Sequence, residues 1–323
     1  MLELGLLFLR IGPAIGLVIL ILVISQLTPA FATPRNVGNL LAQSAVISVL
    51  AMGQLLVIIT RGIDLSVGST LALSTVTGAL AASAGASTPV VIGVMLLTGI
   101  AVGAVNGVVY VFGRLPHPFI ITLATLSIAR GLALWLSDGQ PVQNMPDPIR
   151  FIGGEILFGW LPVSTMLVAA IALAVLLLTT LLVAGRWIYA VGGNPDAARR
   201  IGIPVGGTLV AVYVVSGLMA GIAGLLTAGR TGAGAPTFGS LAELDAIAAV
   251  IIGGASFLGG RGNVGNAIVG ALMIAVIRNG MNLMNVDSFF QPMVIGVVIV
   301  LAVEADVVRN RLEQRFRLRR ALA

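Results

Sequence analysis

Apolar segments follow one another along almost the whole chain, separated by short polar breaks. They run Ile11–Leu27, Asn39–Thr60, Val67–Ser83, Pro89–Phe112, Pro118–Leu136, Val163–Ala184, Thr208–Gly229, Leu244–Leu258, Asn263–Asn282 and Gln291–Val303. In a bilayer such a segment must satisfy its backbone N–H and C=O groups internally, and a helix does so. The pattern therefore predicts an all-α polytopic membrane protein of about ten transmembrane helices. Of the 323 residues, 58% are hydrophobic and only 9% charged, with a mean hydropathy of +1.08, a balance foreign to soluble domains of this length. The 41 glycines suit helices that pack closely through small residues. Several segments are short for a hydrocarbon core of about 30 Å, as happens where helices break inside transporters.

What is missing narrows function. All 18 basic residues are Arg. Without Lys there is no P-loop and no Schiff-base chemistry, so any ATP hydrolysis belongs to another chain. Cys is absent and His117 is the single His, which removes thiolate chemistry and multi-His or Cys metal sites. No carboxylate pair or Ser/His/Asp spacing is placed for hydrolysis. The expectation is a protein that is not an enzyme, with no catalytic residue, metal or cofactor. Aromatics make up 5%, little material for a stacking pocket.

The net charge of +6 fits orientation rather than nucleic-acid binding. With both termini cytoplasmic, the inside holds Arg10, Arg61, Arg114, Arg186, Arg199, Arg200, Arg261 and the tail Arg309, Arg311, Arg315, Arg317, Arg319 and Arg320. The outside keeps Arg35, Arg150 and Arg230, together with the loop Ser137–Pro162. Arg130 and Arg278 fall near outer span ends and read as snorkelling anchors. Ala30-Phe31-Ala32 has the look of a leader cleavage site, but the weak basic flank and long apolar run favour a retained span. The domain expectation is one membrane unit over 1–308 and a basic cytoplasmic tail over 309–323.

One polar interruption, Gly192–Pro204, is written as a short capped helix. Asn194 can cap, Pro195 suits the first helical position, and Asp196 faces the positive helix end. Arg199 and Arg200 fall in the last turn, Gly202 can close it and Pro204 blocks continuation. At about seven residues it is too short to stand alone in water, so it should dock on something.

Polar residues also sit at membrane depth. Asp64 reads either as the N-cap of the Val67 segment or as a gate or pathway residue, with Ser66 beside it. Glu243 and Asp245, at the start of another short segment, carry the same two readings. Gln43, Ser44, Ser48 and Gln54 share one segment and suit either a path for an uncharged polar solute or interhelical hydrogen bonds. Asn106 and Asn279 are similar. His117, between Pro116 and Pro118, reads as part of a rigid turn. Gly62-Ile63-Asp64-Leu65 and Glu243-Leu244-Asp245-Ala246 open two segments of opposite direction, with Asn106-Gly107 and Asn279-Gly280 following. An inverted repeat and chance similarity in Gly/Ala-rich sequence both account for this echo.

Four stretches carry a resemblance to a known family. They are Gly62-Ile63-Asp64-Leu65-Ser66-Val67-Gly68-Ser69, Tyr189–Asn194 leading into Asp196-Ala197-Ala198, Glu243–Val250 through Gly253-Gly254, and Asn279-Gly280-Met281-Asn282-Leu283. In this order, over residues 40 to 303, the chain resembles the permease subunits of bacterial ATP-binding-cassette monosaccharide importers. The resemblance implies a fold like that of the cobalamin importer, in the bacterial inner membrane. It implies a homodimer of permeases, two ATPase subunits and a periplasmic binding protein that delivers a ribose-like sugar. Permeases of that superfamily carry a cytoplasmic coupling helix with Glu-Ala-Ala and, further on, Gly. Here Asp196-Ala197-Ala198 and Gly202 match, with Asp in place of Glu, so coupling to the ATPase is assigned to Asn194, Asp196, Ala197, Ala198, Arg199 and Gly202. The pathway or gate is assigned to Asp64, Ser66, Gln43, Gln54, Asn106, Glu243, Asp245 and Asn279. The Arg-rich tail is longer and more basic than the family pattern, and reads as an amphipathic or disordered extension near anionic headgroups. A permease for branched-chain amino acids and a stand-alone carrier or channel remain the alternatives.

Overall fold

The computed structural model describes the backbone of residues 2–321 and the side chains of 12–304 and 307. The chain is all-α apart from one small hairpin. In order, the helices are α1 (Leu2–Leu27), α2 (Pro34–Ile59), α3 (Val67–Ser83), α4 (Thr88–Phe112), α5 (Phe119–Leu136), α6 (Asp147–Gly154), α7 (Val163–Thr180), α8 (Val183–Gly193), α9 (Pro195–Arg200), α10 (Val205–Thr231), α11 (Ala242–Ile252), α12 (Val264–Leu283) and α13 (Phe290–Ala321). Strands Ile156–Leu157 and Leu161–Pro162 pair antiparallel between α6 and α7. Each of the ten predicted apolar segments contains or overlaps a helix, and in eight of them one helix covers nearly the whole segment. Among the described residues, α2, α4, α5, α7, α10 and α12 are long and apolar enough to cross a membrane.

The helices sort by how they are covered. In the apolar window of α2, 89% is buried, against 22% in those of α4, α5 and α7. Helix α2 is thus the most deeply buried of these spans, while α4, α5 and α7 show Leu, Val and Ile outward. That inversion is what lipid-facing helices require. Helices α4 and α10 lie closest together. Gly99, Gly103 and Gly107 recur every fourth residue along one face of α4, and a Cβ on Gly99 would overlap the carbonyl oxygen of Gly217 on α10. Small residues at this spacing let two backbones touch, which is how helices associate where the hydrophobic effect is absent.

Two apolar segments differ from their sequence reading. The run Val163–Ala184 breaks at Leu181 and Leu182: α7 stops at Thr180, Leu182 is extended (φ −83°, ψ 151°), and α8 turns away. Gly185 permits the turn, since a Cβ there would strike Leu178 O. The run Leu244–Leu258 yields only the 11-residue α11. That spans about 16 Å, half a membrane core. It stops at Gly253 and at Gly254, whose φ of 85° no continuing helix allows.

Two non-helical segments enter the bundle from opposite ends. After α2 ends, residues 62–66 double back beside it. Gly62 N–H donates to Val57 O (2.9 Å), and Gln54, with its amide oriented to suit both groups, bridges the main chain of Asp64 at 3.1 and 3.2 Å. After α10 ends, residues 233–241 run down α3, where Val142 and Gly234 exchange backbone bonds at the mouth and Gly239 reaches Gly68. The two meet at the N-termini of α3 and α11. Irregular backbone at such depth is tolerated where protein buries it or where it lines a cavity.

The backbone of the basic tail continues α13 as a helix to Ala321. The side chains of Arg309 through Arg320, on which its amphipathic reading rests, lie outside the described residues.

Candidate functional site: a capped surface helix and a buried polar centre

At one end of the bundle α9 forms where the sequence places it. Asn194 is extended (φ −157°), and its Oδ1 accepts from Asp196 N (3.1 Å) and Ala197 N (3.0 Å). Gly202 closes the helix at φ 85°, with Ile203 N donating to Ala198 O (3.1 Å). Ala198 is 3% exposed and packs against Val191 and Val205, which seats α9 on α8 and α10. The other face is open. Arg199 pairs with Asp196 at 3.5 Å, but both side chains are exposed, so the pair contributes little and leaves Asp196 available to a partner. Ile201 at the tip is 76% exposed.

The helix stands on a junction of three segments. Arg61, just past the end of α2, donates from Nε to Gly192 O (2.6 Å) and from Nη2 to Gly193 O. Those are the last carbonyls of α8, which have no helical partner of their own. From the third segment, Gly260 N donates to Ile59 O (2.8 Å), and Tyr189 Oη donates to Gly262 O (2.8 Å).

In the interior a second constellation is built on Asp64, which is 1% exposed. Its Oδ1 accepts from Ser66 N (3.0 Å) and Ser66 Oγ (2.6 Å), and its Oδ2 accepts from Ser216 Oγ on α10 (2.8 Å). Asn106 Nδ2 on α4 donates to Ser66 Oγ (2.8 Å), and Thr125 Oγ on α5 donates to Asn106 Oδ1 (2.6 Å). One chain of hydrogen bonds thus runs from α5 through α4 and the 62–66 segment to α10. Ser216 lies about 16 Å along α10 from Val205, near the middle of that helix. Beside the chain, Tyr213 is fully buried and its hydroxyl has no hydrogen-bond partner among the described residues.

A family model described as "Branched-chain amino acid transport system / permease component" matches residues 36–303. The chain belongs to this permease family. It is 41% identical over 305 residues to the ribose import permease protein RbsC of Escherichia coli (strain K12), covering 90% of this chain and 92% of that one. Identity to RbsC of Bacillus subtilis (strain 168) is also 41%, over 302 residues and 92% of each chain. The D-allose transport system permease protein AlsC of Escherichia coli (strain K12) is 38% identical over 301 residues, covering 92% of this chain and 91% of that one. No solved structure matches.

The permease's interior corrects three sequence readings. Asp64 is not the N-cap of α3: Ser66 holds that position, and the Asp64 carboxylate instead gathers hydroxyl and amide donors. Arg130 and Arg278 are not snorkelling anchors, because each turns inward. Arg130 Nη1 donates to Phe238 O (2.8 Å) and to Pro236 O, holding the segment 233–241. Arg278 Nη2 meets Asp245 Oδ1 at 2.7 Å, with the Asp245 side chain only 7% exposed. A buried carboxylate without a partner is costly, and Arg278 is the partner of Asp245.

Ser66, Asn106 and Gln54 join Asp64, and Glu243 and Asp245 lie at the start of α11. Asn279 sits elsewhere: it exchanges amide hydrogen bonds with Asn36 at 2.8 and 2.9 Å and ties α12 to the start of α2. Gln43 is half-buried and makes no side-chain hydrogen bond among the described residues. Sequence reasoning missed Ser216, Thr125 and Arg61. Ser216 left one signal, the single serine in the apolar run of α10. Among the described residues no three His, Asp or Glu side chains could hold a metal ion.

Proposed function

We propose that the chain is the membrane-spanning subunit of an ATP-driven importer of a monosaccharide, a ribose-like pentose or a related sugar. The observation that carries this reading is 37–41% identity to ribose, allose and xylose permeases over about nine-tenths of each chain. With no Lys in the chain to serve a P-loop, the ATPase is a separate subunit. A periplasmic binding protein supplies the sugar, and the permease works as a homodimer in the bacterial inner membrane. In this reading the subunit has about ten spans in a cobalamin-importer-like fold, with both termini cytoplasmic.

Helix α9 is the coupling helix. It is preformed by its caps, seated through Ala198, and presents Asp196, Ala197, Arg199 and Ile201 outward. The ATPase dimer closes on ATP and carries α9 with it. The Asp64 centre is the gate. Its hydrogen bonds join a continuous helix to a re-entrant segment, so they must exchange partners when the helices move. Glu243 and Asp245, held beside Arg130 and Arg278, flank the same path on the other re-entrant segment. Gln43 and Gln54 offer neutral polar groups along it, while Asn279, paired with Asn36, stands apart from it.

Proteoliposomes holding the permease with its ATPase and binding protein test the reading. ATP-dependent uptake of a pentose, competed by other sugars and not by leucine, supports it. Competition by leucine would favour the branched-chain amino acid class, and uptake without any ATPase would favour a stand-alone carrier.

A further inference from the structure

Two routes lead from α9 to the Asp64 centre. The first is covalent: the chain leaves α9 at Ile201 and enters α10, whose Ser216 holds Asp64 Oδ2. The second is not covalent. The residue before Asn194 is Gly193, whose carbonyl, with that of Gly192, is held by Arg61. Arg61 in turn is covalently joined to Gly62–Ser66, the segment that carries Asp64. The two routes end on opposite sides of one hydrogen bond, Ser216 to Asp64.

Arg61 is shaped for this position. Its backbone φ of 68° lies in the left-handed region, uncommon for a side chain of this size. Its guanidinium sits on helix-terminal carbonyls, where a cation is favoured and two N–H groups engage at once. Its stem lies against Gly259, where any Cβ would strike it. The side chain, though exposed, is therefore held on both sides, by the α8 carbonyls and by Gly259.

We propose that Arg61 is the strut that passes movement of α9 to the re-entrant segment, so that displacement of α9 acts on both sides of the Ser216–Asp64 bond. Arg61 is a positioning residue, and the inference rests on α9 as the ATPase dock. Without the strut, α9 still docks and ATP is still hydrolysed, but the gate segment is driven from one side only.

The test compares wild type, Arg61→Ala and Arg61→Lys in proteoliposomes of the full complex, reading ATP hydrolysis, ATPase retention and sugar uptake on the same sample. Arg61→Ala should keep hydrolysis and retention within about twofold while sugar moved per ATP falls about tenfold, the scale of losing charge-assisted hydrogen bonds. Arg61→Lys, which keeps the charge but not the fork, should recover part of that ratio. Two results overturn the strut: a sugar-to-ATP ratio for Arg61→Ala near that of wild type, or a parallel fall of uptake, hydrolysis and retention. Gly202→Val serves as the separate arm for the dock. If it leaves retention and coupling intact, the coupling-helix reading fails. If it loses coupling while Arg61→Ala keeps it, only the strut fails.

Discussion

Ser216, on an unbroken helix, donates a 2.8 Å hydrogen bond to the carboxylate of Asp64, on a segment that is not helical at all. Under the proposed gating, that bond joins two parts of the permease that move differently. Ser216→Ala removes it and leaves Oδ2 short of a donor. The folded state should lose about 1–3 kcal/mol, read as an earlier thermal unfolding transition in detergent. Asp64→Ala should cost transport more than it costs folding, because the remaining hydroxyl and amide groups can pair among themselves.

Tyr213 gives a control on the same centre. Its hydroxyl is buried and unpartnered among the described residues. Tyr213→Phe should therefore leave stability unchanged or raise it by up to about 1 kcal/mol, the reverse of what deleting a buried hydroxyl usually does. A clear loss of stability would mean that the hydroxyl has a partner in the membrane.

How much of this was legible in the sequence differs by element. The caps of α9 were readable because every signal is local: Asn194, Pro195 and Gly202 each act within four residues. The positions of the apolar helices were readable for the same reason. The re-entrant segments were not, since apolar periodicity cannot tell a helix that starts at mid-depth from one that starts at a surface. The roles of Arg130 and Arg278 were misread because an arginine near a span end is the same letter whether it faces headgroups or a carboxylate. Only the fold brings Asp245 to Arg278, across 33 residues.

That pair makes a prediction of its own. Arg278→Ala leaves the buried Asp245 charge alone and should cost about 3–5 kcal/mol, seen as loss of folded, monodisperse protein, while Asp245→Ala leaves the partly exposed Arg278 and should cost less. The double variant should recover most of that loss. If the two single effects simply add, the ion pair is not what holds α11 against α12.

The contact between α4 and α10 predicts a packing effect with no charge involved. A side chain at Gly99 has no room against Gly217. Gly99→Val should separate the two helices and cost at least about 1–3 kcal/mol, with poor yield of folded permease. Gly93, with no atom within 4 Å of where a Cβ would stand, is the matched control, and Gly93→Ala should be silent.

On the proposed reading ATP's work enters at α9. Sugar uptake in proteoliposomes containing ATPase and binding protein, with wild type beside Gly202→Val and Asp196→Arg, decides it. Gly202 closes the helix at a φ that valine resists, and Asp196 lies on the exposed face. Wild type should take up sugar only with ATP. Both variants should insert and remain folded while their uptake falls at least about tenfold, the loss of roughly one good docking contact. Wild-type uptake by either variant, or uptake by the wild type without ATP, would contradict that reading.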